Sequence, residues 1–163
     1  AGDTATGVTI LVVDPEMDHG PIIAQETIHL CATSDVAQLK DYFTLREEAA
    51  RLGARMFARI LPDFISGKMR ANGQNHAAAT FTKKITKTDG EIKLDDDPIQ
   101  NFRKIRAYAD WPGTYFFVKQ NNKPLRVIIK KAHLENNQLV LDRVLPEGRK
   151  DMGWKLFKIK FKK

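Results

Sequence analysis

The sequence predicts an α/β unit followed by a small, mostly β unit that resembles an oligonucleotide-binding (OB) barrel, and three observations support this order. Residues 1–67 contain apolar, β-branched runs and a long amphipathic helix. Short strands separated by tight turns fill the last 80 or so residues, as in small barrels. The net charge is −5 over residues 1–67, with 10 acidic and 5 basic side chains, and +12 over the remainder, with 10 acidic and 22 basic. We place a linker at 68–82 and the OB-like unit at 83–163.

The first unit is predicted to begin with two strands. Thr6 to Val13 is an apolar, β-branched run that ends at Asp14-Pro15. Such a run is typical of a strand buried on both faces of a sheet. The stretch from Pro21 to Leu30 predicts the second strand.

A long helix is predicted after these strands. Thr44 and Glu47 have the capping-box spacing, which predicts Thr44 as the N-cap. Pro62 is expected to end or kink the helix and Gly67 to stop the turn that follows. A shorter helix is possible at 35–43. The apolar face of the long helix is formed by Leu45, Ala49, Leu52, Met56 and Ile60.

The second unit is predicted to contain one helix and several strands. The sequence Asp95-Asp96-Asp97-Pro98 is typical of a helix start, because acidic residues and proline favour the first turn. Asn121-Asn122 and Asn136-Asn137 predict hairpin turns. From Phe157 onward apolar residues and lysines alternate, which predicts a strand with one basic face. The predicted strands are Thr114–Lys119, Leu125–Leu134, Gln138–Val144 and Leu156–Phe161.

Composition narrows the class of protein. At 42% hydrophobic and 29% charged residues the chain is typical of a globular protein, and no apolar run approaches the roughly 20 residues of a membrane span. The single cysteine, Cys31, excludes an internal disulfide and suits a reducing, cytoplasmic environment. His29 and Cys31 are two residues apart, while His76 and His133 are isolated, so no metal site is predicted.

One segment carries a family resemblance. Thr6-Gly7-Val8-Thr9-Ile10, followed by Asp18-His19-Gly20-Pro21, resembles the TGVTI…MDxGxDxGPI element of folate-dependent formyltransferases. Further matches follow in order along nearly the whole chain. Among them, Arg106-Ala107 with Trp111-Pro112-Gly113 is similar to the methionyl-tRNA branch of that family.

This resemblance implies a reaction and an incomplete active centre. The family transfers a formyl group from 10-formyltetrahydrofolate to an amine, which in this branch is the amine of initiator methionyl-tRNA. Its catalytic domain is a Rossmann-like α/β unit with an Asn, a His and an Asp at the active centre, and Asp18 matches the Asp. The Asn and His precede the position that Ala1 matches. We therefore expect the C-terminal part of such an enzyme, inactive alone, and either monomeric or complemented by the N-terminal half.

The resemblance also implies roles within the loop. Asp18 would orient or ionise the family histidine and relay protons through water. Asp14, which precedes a proline, is read as a turn residue. Glu16 and His19 depart from the family, which has Gly and Thr there. The residues expected to line the folate site are Glu16, Met17, His19, Gly20 and Pro21.

The basic second unit is expected to contact tRNA phosphates. The alternative for each lysine is a solvated surface, and the charge alone does not decide between them. The candidates are Lys83, Lys84, Lys87, Arg103, Arg106, Lys130, Lys131, Lys158 and Lys160, with the further tail lysines Lys155, Lys162 and Lys163.

Two other functions remain open from the sequence. A related sugar-nucleotide or folate formyltransferase, or a hydrolase, would share the Asp18 loop, although the basic unit and the WPG element argue against it. A stand-alone RNA-binding module without chemistry is the alternative from a different class.

Overall fold

The structure, a computed structural model, describes residues 2–30 and 38–161. These residues form two compact units. The first unit is drawn from 1–34 and 44–83, and the second from 35–43 and 84–163. What each predicted domain is, and whether the segment between them is a linker, stays a prediction.

The first unit contains a two-stranded antiparallel sheet, formed by β1 (Ala5–Leu11) and β2 (Ile22–His29). Ala5 pairs with His29 at one end and Leu11 with Ile22 at the other. The expectation that the first strand is buried on both faces was wrong, because no residue of β1 is fully buried. A β-branched run favours an extended backbone, whereas the burial of a strand depends on the elements that pack against it. In the described residues, β1 pairs only with β2, and this single neighbour does not cover both of its faces.

Helix α1 (Tyr42–Ile65) starts before the predicted N-cap and continues past Pro62. It begins two residues before Thr44 and continues three residues beyond Pro62, so both of these residues lie inside the helix. Proline removes one helical hydrogen bond, and burial of the preceding turns offsets that loss. The predicted apolar face is confirmed at Met56 and Ile60, which are buried. Of the short helix considered at 35–43, residues 35–37 lie outside the described residues, residues 39–41 are not helical, and Tyr42 and Phe43 belong to α1.

The end of α1 is stabilised by a Schellman motif. Gly67 has a φ of 73°, its N–H donates to the carbonyl of Phe64 (3.1 Å), and the N–H of Lys68 donates to the carbonyl of Asp63 (2.9 Å). Gly67 therefore stops the turn that follows Pro62, as predicted. Although α1 has 24 residues, no helix in the described ranges is long and apolar enough to cross a membrane.

The second unit contains the helix whose acidic cap the sequence predicts. Helix α2 comprises Pro98–Ala107, and the side chain of Asp97 accepts a hydrogen bond from the N–H of Ile99 (2.9 Å). The buried Asn101 donates from its side-chain amide to the carbonyl of Lys93 (2.7 Å). The predicted helix start is confirmed.

A four-stranded antiparallel sheet follows, in the order β3-β4-β5-β6. All four residues of Asn121-Asn122 and Asn136-Asn137 have positive φ, so the predicted hairpin turns are confirmed. The described residues show no pairing between the first and last strands, so the sheet is open rather than a closed barrel. The strands are β3 (Tyr115–Gln120), β4 (Lys123–Glu135), β5 (Gln138–Pro146) and β6 (Met152–Gly153).

The last element, α3 (Trp154–Phe161), is a helix, so the predicted strand at Leu156–Phe161 was wrong. Trp154, Phe157 and Phe161 stack in series, with ring centroids 5.2 and 4.8 Å apart. Phe157 is 1% exposed and also contacts the core residue Phe116 edge-on. These aromatic residues recur at steps of three and four, and their packing outweighs the alternation of lysines.

Candidate functional site

Asp18 lies in the loop between β1 and β2. Its φ is 54°, in the left-handed region that aspartate tolerates better than most residues with a side chain. The base of the loop is closed by the N–H of Val12, which donates to the carbonyl of Pro21 (2.9 Å). Asp18 is exposed. The loop therefore presents a carboxylate to solvent on a backbone that is fixed at its base.

The remaining members of the predicted folate set differ in their exposure. Gly20 is buried, and a Cβ atom there would lie 1.7 Å from the carbonyl oxygen of Val12, so the loop requires glycine at this position. Glu16 is exposed, Met17 is 92% exposed, and Pro21 is half-buried. The structure thus places Glu16 and Met17 where a ligand could contact them and uses Gly20 to close the loop.

Asp14 has a second role beside that of a turn residue. One carboxylate oxygen accepts from the N–H of Glu16 (3.0 Å), and the other lies 2.7 Å from Nδ1 of His19. The hydrogen bond from His19 lowers the pKa of Asp14, and the same bond raises the pKa of His19. The pair favours a charged imidazolium immediately beside Asp18.

His76, which is isolated in the sequence, stacks on His19. The ring centroids are 3.7 Å apart and the planes differ by 9°. One face of the His19 ring is therefore covered by His76, while its Nδ1 atom is engaged by Asp14. His19, one of the two loop residues that depart from the family pattern, is thus held on two sides.

The segment predicted to be a linker contacts the Asp18 loop directly. Asn72 and Ile22 exchange two backbone hydrogen bonds of 2.7 and 2.8 Å. The side-chain amide of Gln74 donates to the carbonyls of Asp18 (2.9 Å) and Gly20 (2.7 Å). At alternate positions, residues 72, 74 and 76 thus contact the loop.

Sequence reasoning missed Asp14, Gln74 and His76 as parts of this site. Gln74 is 56 residues from Asp18 and belongs to a stretch without periodicity, so no local pattern indicates the contact. For Asp14 a signal existed, because the following proline and the histidine five residues later are compatible with a side-chain pair as well as a turn.

The predicted tRNA-contacting residues fall into two groups. Arg103 and Arg106 on α2 are half-buried with buried Nε atoms, and Arg106 lies over the ring of Phe102 (5.4 Å), so both arginines take part in packing. The second group is exposed to solvent and comprises Lys83, Lys84, Lys87, Lys130, Lys131, Lys158 and Lys160.

The three lysines in the described part of α3 do not all share one face. Lys158 and Lys160 are two residues apart on a helix, so they project about 200° apart, and the predicted basic face of a strand was wrong. Lys158 instead lies beside Trp154, with Nζ 5.9 Å from the ring centroid. A groove of about 570 Å³ includes Trp154, Lys155, Lys158 and Asp142 in its lining, so it offers an aromatic surface beside two positive charges and one negative charge.

The described ranges contain no group of three or more His, Cys, Asp or Glu side chains that could hold a metal ion. His29 and His133 lie in different units, and Cys31 lies outside the described residues. The side chains that meet at the loop are the carboxylates of Asp14 and Asp18, the imidazoles of His19 and His76, and the amide of Gln74.

Two family profiles match the chain. Residues 1–53 match the formyl transferase family, and residues 84–140 match the formyl transferase C-terminal domain. The chain is 41% identical over 128 residues to the methionyl-tRNA formyltransferase of Chloroflexus aurantiacus, covering 78% of this chain and 39% of the relative. It is 35% identical over 131 residues to that of a Roseiflexus species, covering 80% and 38%. It thus spans about two fifths of these relatives.

Solved structures share the fold. The methionyl-tRNA formyltransferase from Clostridium thermocellum matches with a TM-score of 0.61 and 20% identity, over 89% of this chain and 57% of that protein. An N-formyltransferase from Helicobacter canadensis, in complex with folinic acid and dTDP-3-aminofucose, matches with a TM-score of 0.61 and 18% identity, over 83% and 46%. At these identities the likeness establishes the fold.

Proposed function

Since this chain belongs to the formyl transferase family, we propose that it carries the Asp18 loop and the tRNA-facing part of an enzyme that formylates methionyl-tRNA in the cytoplasm. The observation that carries the proposal is the exposed Asp18 on a fixed loop, within the segment that matches the family. The 41% identity to a methionyl-tRNA formyltransferase supports the choice of amine.

The proposed reaction joins the methionyl amine to the formyl carbon of 10-formyltetrahydrofolate. The new carbon–nitrogen bond forms as the bond to N10 of the folate breaks, by way of a tetrahedral oxyanion. Asp18 would favour the charged or correctly oriented form of the family histidine and help to carry the amine proton away through water. Glu16, Met17 and His19 would line the folate site beside it.

The second unit would supply affinity for initiator tRNA. Its exposed lysines can pair with phosphates, and the groove beside Trp154 adds a surface on which a base could stack. We propose that the open sheet is an OB-like arrangement that presents these groups, and that the chain acts as a monomer or together with the family's N-terminal half.

The test is a fluorescence-anisotropy titration of the chain with labelled initiator tRNA at two salt concentrations. We expect binding that weakens steeply as salt rises, because each phosphate contact releases counterions. No binding at the lower salt concentration would contradict the tRNA-facing role. In parallel, we expect no formylation of methionyl-tRNA by these 163 residues alone, and activity above background would contradict the requirement for the family's Asn and His.

A sugar-nucleotide amine is the second candidate substrate, because the H. canadensis enzyme matches with the same TM-score as the C. thermocellum one. A thermal-shift comparison distinguishes the two. Stabilisation of the chain by initiator tRNA is expected, whereas stabilisation by a dTDP-sugar alone would favour the second candidate. A stand-alone RNA-binding module would also bind tRNA, but no activity of such a module would depend on Asp18.

A further inference from the structure

The side-chain amide of Gln74 reaches two carbonyl groups that flank His19. Its Nε2 atom lies 2.9 Å from the carbonyl oxygen of Asp18 and 2.7 Å from that of Gly20. An amide NH2 group has two N–H donors, so a single side chain satisfies both acceptors at once. Both peptide groups that follow Asp18 and Gly20 are thereby held in a defined orientation.

The conformation of Asp18 needs such support. Its φ of 54° lies in the left-handed region, which is unfavourable for a residue that has a Cβ atom, although less so for aspartate than for most. The peptide plane after Asp18 is fixed by the hydrogen bond from Gln74, and this plane limits the directions that the exposed carboxylate can take.

Gln74 is itself held from both sides. Two residues earlier, Asn72 is tied to Ile22 by two backbone hydrogen bonds, and two residues later His76 stacks on His19. The donor therefore belongs to a segment that is already fixed against the loop, and it does not rely on the freedom of a long side chain.

We propose that Gln74 is a positioning residue for Asp18, acting through the Asp18 and Gly20 carbonyls. The inference rests on the proposed function in giving Asp18 its role in formyl transfer. It assigns to the segment predicted as a linker a part in shaping the site.

Two substitutions separate the hydrogen bonds from the shape of the side chain. Gln74→Met keeps the length and removes both donors. Gln74→Glu keeps the shape, but its carboxylate has no donor when ionised and one when protonated, with a change near the ordinary glutamate pKa of about 4.3. Asn75→Asp is the matched control, because Asn75 is exposed and its side chain makes no capping hydrogen bond.

The measurement is NMR on the isotopically labelled chain, each variant being compared with the parent at the same pH. It follows the carbonyl shifts of Asp18 and Gly20 and the amide exchange of Val12 and Ile22. In Gln74→Met we expect both carbonyl shifts to move at every pH and exchange to accelerate about tenfold. In Gln74→Glu the same changes should be present near pH 7 and reduced near pH 4.

The inference is overturned if Gln74→Met leaves the two carbonyl shifts and the exchange rates as in the parent, or if Gln74→Glu changes them equally at both pH values. Binding of initiator tRNA by the same variants serves as a separate readout. We expect it to match the parent. A parent chain that fails to bind tRNA would count against the proposed function and not against the positioning role of Gln74. Unchanged carbonyl shifts with normal tRNA binding would count against the positioning role alone.

Discussion

The pairing of His19 with Asp14 makes the stability of the loop depend on pH. The hydrogen bond raises the pKa of His19 above its usual 6.5 and lowers the pKa of Asp14 below its usual 3.8. The contribution of His19 is fully present below about pH 6.5 and is lost as pH rises through its raised value. That of Asp14 is present above about pH 3.8 and is lost as pH falls through its lowered value.

We therefore expect Asp14→Asn to destabilise the chain most between about pH 4 and 6.5, and progressively less as pH rises further. Urea unfolding of the parent and the variant across this range measures the difference. The imidazole resonances of His19 should titrate above pH 6.5 in the parent and at a lower pH in the variant. A variant whose His19 midpoint equals that of the parent would show that the Asp14 contact does not form in solution.

Gly20 tests how tightly the loop closes. Because a Cβ atom at Gly20 would lie 1.7 Å from the carbonyl oxygen of Val12, Gly20→Ala must displace the backbone, and we expect a loss of about 1–3 kcal/mol in the free energy of unfolding. Gly73→Ala is the matched control, since no atom lies within 4 Å of its added Cβ. Equal effects of the two substitutions, measured by denaturant unfolding, would contradict this close approach.

Among the elements, α3 offers the sharpest discrimination between the predicted strand and the observed helix. A strand would place Phe157 and Ile159 on one face, whereas the helix buries Phe157 to 1% exposure and leaves Ile159 78% exposed. We expect Phe157→Ala to cost about 3–5 kcal/mol in the stability of the second unit and Ile159→Ala to have little effect. Comparable losses for both variants in urea unfolding would support the strand instead.

The elements that the sequence predicts well have local causes. The Asp97 cap of α2 and the two Asn-Asn turns are set by side chains at the positions they stabilise, and each is confirmed. The continuation of α1 past Pro62 and the burial of β1 depend instead on packing partners distant in sequence. In α3 the alternation of lysines predicts a strand, whereas the aromatic residues at steps of three and four predict a helix. The contact of Phe157 with the core residue Phe116 shows that the second pattern dominates.

For the molecule as a whole, the uneven charge leads to a prediction about salt dependence. Lys130 and Lys131 are exposed on β4 in the basic part of the chain, while Arg51 is exposed in the acidic part and pairs with Glu47. If the second unit binds phosphates, Lys130→Ala and Lys131→Ala should each reduce the log–log salt slope of tRNA binding by about 0.7–0.9. Arg51→Ala, which removes the same charge, should leave the slope unchanged. Equal slopes in all three variants would assign these lysines to a solvated surface.

The candidate site combines residues of one contiguous sequence motif with residues that are distant from it in sequence. Asp18 and Gly20 belong to a contiguous pattern and could be identified from the sequence. Gln74 and His76 could not, because the contacts they make depend on a chain path that returns after α1, and no local spacing encodes that return.

The contact between the segment after α1 and the Asp18 loop also affects the order in which the parts of the protein fold. In the second unit, β3, β4 and β5 are joined by two-residue turns, so their contacts are short in sequence and can form quickly. The amide of Gln74 meets Gly20 across 54 residues, and closing so long a loop is slower. On the ribosome, residues 12–21 emerge well before residues 72–76. The hydrogen bonds from Gln74 to the Asp18 loop can therefore form only after α1 and the segment after it have been synthesised.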